Sequence, residues 1–196
     1  MSEIYQGQKF EFKQGKTAAP AHAELSDLKK YCAIFNKNNF APVFEGGSSG
    51  NLSFRTQKHS NHFIITCGHT ALRKNMPDSD FARVTQANLP ENKIYADCLR
   101  PPSSESLLHA EIYKQKPTIN AVFHGHSQLF ITQAPRMGIA VTKKEQDYGT
   151  PELVHEVLDS IKDHRFIIMK NHGFISLGET MKDAMEQIQM IYKKIK

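Results

Sequence analysis

The chain contains no tryptophan and only three cysteines in 196 residues. Cys32, Cys67 and Cys98 are too far apart for a Cys-x-x-Cys pair, and an odd number cannot all pair internally. That argues against a disulfide scaffold and against a cysteine-built structural zinc site, and it suits a reducing compartment such as the cytoplasm. No apolar run approaches the roughly 18 residues of a membrane helix, so no membrane association is expected. Residues 1–16 lack the apolar core of a secretion signal. Repeats and low-complexity tracts are also missing, which excludes solenoids and long disordered linkers.

The apolar share is 39% and the charged share 23%, ordinary values for a globular chain. A chain of this length buries one core without staples. A net charge of +5 is mild, and the lysines are scattered apart from Lys193, Lys194 and Lys196. Nucleic-acid binders gather their charge into a stripe interleaved with aromatics. No such stripe is visible, so a small anionic substrate is the better match for the field, and nucleic acid is not expected.

Residues 1–19 are polar with little periodicity and read as an N-terminal arm ordered by a neighbouring subunit; the domain proper is expected over 20–196. After Pro20, Leu25, Leu28, Cys32 and Phe35 recur at helical spacing up to Asn38 and Asn39. Residues 45–50 (EGGSSG) read as a flexible turn. Asn51–Arg55 and Phe63–Thr66 read as strands, 73–80 as loop, and Phe81–Val84 with Lys93–Ala96 as an edge hairpin turned by 89–92. Ser103 and Ser104 stand where they could cap a helix from about Glu105 to Lys116, closed by Pro117. Asn120–Phe123 is a buried strand, and Ser127 opens a short helix ending near Pro135. Thr150-Pro151 opens another helix. Phe166–Met169 is a strand turned at Asn171-His172-Gly173, and Thr180 with Asp183 forms a capping box before the last helix. Interleaved helices and closely spaced strands imply a mixed sheet covered by helices, α/β or α+β.

His124 and His126 stand two apart at the end of an apolar strand, and alternate residues of a strand share a face. Two imidazoles there can close on one cation. Ten histidines make one such pair unremarkable by chance. His172, in a tight turn after a second apolar strand, supplies a third, and three histidines with an open position are the usual form of a catalytic zinc site. His109, within a helix, reads as a structural hydrogen-bonder; His22 lies near the arm, and His59, His62, His69, His155 and His164 read as surface or loop residues.

Glu105 has two readings. A first-turn glutamate complements the helix dipole, worth about 0.3–1 kcal/mol. Beside a metal, the same carboxylate is a general acid/base. Ser103 and Ser104, next to free backbone N–H groups, form an anion cradle suited to phosphate. Gly46, Gly47 and Gly50 let a second loop approach, with Asn51 as a donor, and the strand end at Cys67-Gly68 offers a further N–H.

Taken in order, Gly50-Asn51-Leu52-Ser53 with Arg55, Ile65-Thr66-Cys67-Gly68, Pro102-Ser103-Ser104-Glu105 with His109, Ala121-Val122-Phe123-His124-Gly125-His126-Ser127, Tyr148-Gly149-Thr150-Pro151-Glu152-Leu153 and Lys170-Asn171-His172-Gly173 resemble the class II aldolase/adducin superfamily. The resemblance spans roughly residues 20–195. It implies a three-layer α/β/α fold around a largely antiparallel mixed sheet, and a homotetramer with active sites between subunits. It implies Zn²⁺ on His124, His126 and His172, Glu105 as acid/base, and phosphate contacts from Asn51, Cys67, Gly68, Ser103 and Ser104. Cys67 stands where the family usually carries a hydroxyl residue, and neither Tyr148 nor Tyr192 matches the family's catalytic tyrosine. The activity this implies is zinc-dependent aldol cleavage of a small phosphorylated ketose. A sugar-phosphate 4-epimerase, a methylthioribulose-phosphate-type dehydratase and a non-enzymatic adducin-like interaction module are the alternatives.

Overall fold

The computed structural model describes residues 7–44 and 47–196. Its main sheet contains eight strands: β1 (Glu11–Gln14), β4 (Gly50–Arg55), β5 (Phe63–Thr66), β6 (Phe81–Asn88), β7 (Lys93–Cys98), β8 (Ala121–Gly125), β9 (Phe166–Met169) and β10 (Gly173–Gly178). Their spatial order is β1-β7-β6-β5-β4-β8-β10-β9. Every neighbouring pair is antiparallel except β1 with β7. Two further strands, β2 (Val43–Phe44) and β3 (Gly47–Ser48), form a separate ribbon. The helices are α1 (Leu25–Lys37), α2 (Ser106–Gln115), α3 (Gln128–Gln133), α4 (Pro151–Ser160) and α5 (Met181–Ile195).

The alternation of side chains along each strand feeds two cores. In β4, Leu52 and Phe54 join Leu28, Phe35, Phe123, Phe130, Phe174 and Ile188 beneath α1, α3 and α5. On the other face Ile65, Val122, Ile167, Ile175 and Leu177 meet Leu107, Ile112, Val154 and Val157 of α2 and α4. The result is the expected three-layer α/β/α architecture with a largely antiparallel sheet. The first core is aromatic: the Phe35 ring lies 5.6 Å from Phe40, 5.9 Å from Phe123 and 6.1 Å from Phe174. Polar residues of β4 on the second face are taken up by α2. Ser53 Oγ is 2.7 Å from both His109 Nδ1 and Tyr113 Oη, and the Arg55 guanidinium lies over the Tyr113 ring and donates to the carbonyls of Ile119 and Tyr113.

Helix starts follow their caps. Thr150 Oγ1 accepts from Leu153 N, and Thr180 with Asp183 forms the full capping box. Four details differ from the sequence-based expectations. Within 1–19, Phe10 is buried and β1 pairs with β7, Glu11 opposite Lys93. That segment therefore docks on its own chain through backbone hydrogen bonds, which carry no side-chain signature. The hairpin of β6 and β7 is consequently not an edge, and it is longer than the alternation suggested. Gly47-Ser48 belongs to a ribbon rather than a turn, while Glu45 and Gly46 lie outside the described residues. Finally, β10 was not anticipated: GFISLG is buried throughout, so its side chains show no polar face to mark a strand.

Because Phe35 is completely buried among three other rings, Phe35→Ala is expected to cost about 3–5 kcal/mol. Denaturant unfolding measures it, and a loss below about 1 kcal/mol would show that the aromatic cluster is not the mainstay of that core.

Candidate active site

The centre of the site is β8. It lies between β4 and β10, with Asn51 and Ile175 directly opposite His124. Val122 and His124 share the face toward α2, so the histidine leaves the strand on the side where that helix begins. His124 Nδ1 is 2.9 Å from the Phe174 carbonyl, which as an acceptor requires the proton on Nδ1 and turns Nε2 inward. The strand ends at Gly125, and His126 follows on the same side. His172 arrives from the turn between β9 and β10. There Asn171 has φ 56°, a left-handed conformation that asparagine tolerates better than most residues. A Cβ on Gly173 would meet the Gly125 carbonyl and lie 2.9 Å from His124 Cε1, so the close approach of the two strand ends requires glycine.

The three imidazoles face one another. Ring centroids are 4.6 Å apart for His124–His126, 4.5 Å for His126–His172 and 5.3 Å for His124–His172. One ligand nitrogen from each lies within 4.8 Å of the others. His124 is completely buried, His172 almost so, and His126 opens partly to the cavity. Burial, reinforced by the neighbouring imidazoles of His124 and His172, pushes the His126 pKa well down, which favours its neutral form, the one that binds a cation.

Glu105 is the N-cap residue of α2, but its carboxylate does not cap the helix. Ser103 Oγ accepts from Glu105 N at a long 3.4 Å, and neither serine caps as expected. The carboxylate turns instead to the histidines: Oε2 is 3.0 Å from His124 Nε2, and Oε1 is 3.1 Å from His172 Nε2. Asn51 Nδ2 donates to Oε2 at 2.9 Å. Burial raises this carboxyl's pKa, but the two imidazoles outweigh it and hold Glu105 well below the usual carboxylate range. One turn along α2, His109 is fully buried on Ser53 and is pushed down to about 3 by burial, the neutral structural role expected of it.

A cavity of about 580 Å³ opens onto this centre. Its lining includes Asn51, Cys67, Gly68, Ser103, Ser104, Glu105, His126 and His172, which the structure thus brings together from five separate stretches. Cys67 contributes no outward thiol. Its Sγ is 3.2 Å from the Arg100 carbonyl, and burial pushes the thiol up to about 12. The sequence did not single out His69, Thr70, Gln128 or Tyr148 as lining residues. His69 sits at φ 49°, invisible in a string of residues. Tyr148 Oη and Ser104 Oγ both donate to the carbonyl of Gly7, and Gln8 Nε2 donates to that of Pro102, so residues 7–8 brace the serine wall.

Residues 27–195 match the model of the class II aldolase and adducin N-terminal domain, and the chain belongs to this family. It is 29% identical over 155 residues to a 5-methylthioribulose-1-phosphate/5-deoxyribulose-1-phosphate aldolase of Escherichia coli O45:K1, covering 71% of this chain and 68% of that one. It is 26% identical over 182 residues to an L-fuculose phosphate aldolase of Methanococcus maripaludis, covering 86% and 92%. Among solved structures, an L-fuculose 1-phosphate aldolase superposes with a TM-score of 0.72 at 20% identity, over 91% of this chain and 86% of that one, and so shares the fold. Among the described residues no helix is long and apolar enough to cross a membrane.

Gly173→Ala tests the packing of the triad. The added methyl displaces His124 from its place against β10, and bound-metal content after dialysis is expected to fall by at least about tenfold while the far-ultraviolet spectrum is unchanged, the size of effect seen when groups that orient ligands are disturbed. Unaltered metal retention would show that the strand ends have room to spare.

Proposed function

We propose that this chain is a zinc-dependent aldolase that cleaves a small phosphorylated ketose by a reversible retro-aldol reaction. The observation that carries this reading is the meeting of His124, His126, His172 and Glu105 at the floor of one cavity, which His126, His172 and Glu105 line together with Ser103 and Ser104. The donor set fits zinc: three imidazoles with room for a further ligand, one anchored through its other nitrogen to a backbone carbonyl and one kept neutral by burial. When bound there, zinc supplies Lewis-acid polarisation of a carbonyl oxygen, worth several kcal/mol in the transition state.

The protein's own groups do the rest. Ser103 and Ser104 receive the phosphate, with Asn51, Cys67 and Gly68 on the same wall, and this fixes the carbon chain relative to Glu105. The expected N–H donors of the Cys67-Gly68 strand end are taken up by the Asp80 and Pro101 carbonyls. The wall offers hydroxyl donors and no lysine or arginine among its described lining residues. Glu105, ionised in the resting site, takes and returns the proton at the reacting carbon as the carbon–carbon bond breaks and reforms. Its two oxygens are already oriented by neighbours on both sides, so little reorganisation is needed. The same reading takes the working assembly to be a homotetramer with sites between subunits, and light scattering measures its mass.

His126→Ala is expected to abolish both bound zinc and turnover while the fold survives. Metal analysis and circular dichroism read this directly, and a full complement of zinc in the variant would remove His126 from the ligand set. Glu105→Gln is expected to keep its zinc and lose about 10²–10⁴ in kcat, the usual worth of a positioned acid/base. Product analysis on a panel of phosphorylated ketoses decides the reaction type. Aldol cleavage releases two fragments, whereas a single product of unchanged carbon number excludes it.

A further inference from the structure

The described residues that line the cavity include no lysine or arginine. A phosphate dianion has to be met by hydroxyl and backbone donors, and such donors work only when held still. Two arginines that are not among the lining residues hold the loop 68–71, of which residues 68–70 line the cavity. Both are gathered against that loop's carbonyls by a single carboxylate.

That carboxylate is Asp80, at the end of the 3₁₀ turn Asp78–Asp80, only 3% exposed. Arg73 Nη2 donates to its Oδ2 at 2.7 Å, and Arg100 Nη1 donates to its Oδ1 at 2.8 Å. The remaining guanidinium donors go to the loop's backbone. Arg73 Nη1 donates to the Ala71 carbonyl at 2.9 Å, and Arg100 Nη2 donates to the carbonyls of His69 at 2.8 Å and Gly68 at 3.4 Å. Asp80 also acts through its own backbone, its carbonyl accepting from Cys67 N at 2.8 Å. Gly68 N donates to the Pro101 carbonyl, and Ser103 N to that of Thr66, so the clamped loop is tied to the serine segment.

Carbonyl oxygens repel an anion, and here those of His69 and Ala71 are committed to guanidinium donors, while that of Gly68 is shared between Arg100 Nη2 at 3.4 Å and Thr70 Oγ1 at 3.2 Å. The arginine side chains are 40–45% exposed, so isolated surface pairs of this kind would contribute little to stability. Their geometry is not that of an isolated pair: one buried carboxylate, two forks and three loop carbonyls form a single network.

We propose that Asp80 is a positioning residue for the anion subsite, gathering Arg73 and Arg100 against the 68–71 loop so that its carbonyls face away from the phosphate. This rests on the reading of the cavity as a sugar-phosphate site. It separates cleanly from a simpler view, in which the two arginines serve only as a positive field beside the wall. Asp80→Asn removes one negative charge. A field alone makes phosphate binding tighter or leaves it unchanged, whereas a positioning role makes it weaker.

The experiment compares the zinc-loaded wild type with Asp80→Asn and Arg100→Lys. Each is titrated with inorganic phosphate, and kcat and KM are measured for whichever phosphorylated ketose the wild type cleaves. Asp80→Asn is expected to weaken phosphate binding and raise KM by about tenfold with kcat within about threefold, the pattern of lost binding common to ground and transition states. Arg100→Lys keeps the charge but cannot bridge Asp80 and the His69 carbonyl with one planar fork, and it is expected to weaken binding in the same sense. This second variant also carries the test should Asp80→Asn fail to fold. Amide hydrogen exchange across 68–71 reads the clamp without activity, and it is expected to quicken by about tenfold or more in both variants as the loop opens locally. Phosphate affinity equal to or above wild type in a folded Asp80→Asn overturns the proposal, as does unchanged affinity in Arg100→Lys. A wild type that binds neither phosphate nor any phosphorylated ketose overturns the reading of the cavity itself, and the role of Asp80 falls with it.

Discussion

The antiparallel pairing of β8 with β4 on one side and β10 on the other is the constraint on which the rest depends. It lines up Asn51, His124 and Ile175 across three strands. Since alternate residues share a face, the same register that buries Val122 and Ile175 in the second core presents His124 to the start of α2. A slip of one residue would send that imidazole into the aromatic core and turn Phe123 toward the carboxylate. Register is costly to violate here because both faces of β8 are buried, and with the Phe174 carbonyl on its Nδ1 this holds the His124 imidazole in place.

The polar contacts of the site follow from that frame. Ser53 and Arg55 continue along β4 beyond Asn51, and each is taken up by α2: Ser53 by His109 and Tyr113, Arg55 by Tyr113. Two residues of strand advance about 6.6 Å and four residues of helix about 6.0 Å, so a strand read in twos and a helix read in fours stay nearly in step. Glu105 is the first contact of this series, one turn before His109. Its carboxylate therefore meets the histidines as a consequence of how the helix is seated. Its side chain makes no capping bond, and its two oxygens go instead to the two histidines and Asn51.

The sequence was most legible where local rules govern. The helix at Thr150-Pro151 and the capping box at Thr180 and Asp183 are set by a few neighbouring residues, and both formed as read. The face of α1 marked by Leu25, Leu28, Cys32 and Phe35 is buried. The strand-end spacing of His124 and His126, with His172 in its turn, was visible too, and the family resemblance was carried by the same short motifs. Less legible were β1, which is held by backbone pairing to a strand some 80 residues away, and β10, whose uniformly buried residues erase the alternation that marks a strand. The Asp80 cluster was unreadable for a related reason: Arg73, Asp80 and Arg100 are ordinary surface-type residues until the fold brings them to one place.

Amino-acid order alone determined the class of fold, the capped helix starts at Thr150 and Thr180 and the residue types able to hold a cation, because these depend on periodicity and on side-chain chemistry. Only the tertiary structure decided which of ten histidines meet, that Glu105 turns inward instead of capping its helix, and that residues 7–14 lie against their own chain. Those outcomes depend on distances between stretches far apart along the chain, which arise from the pairing of strands and the seating of helices and are encoded in no single segment.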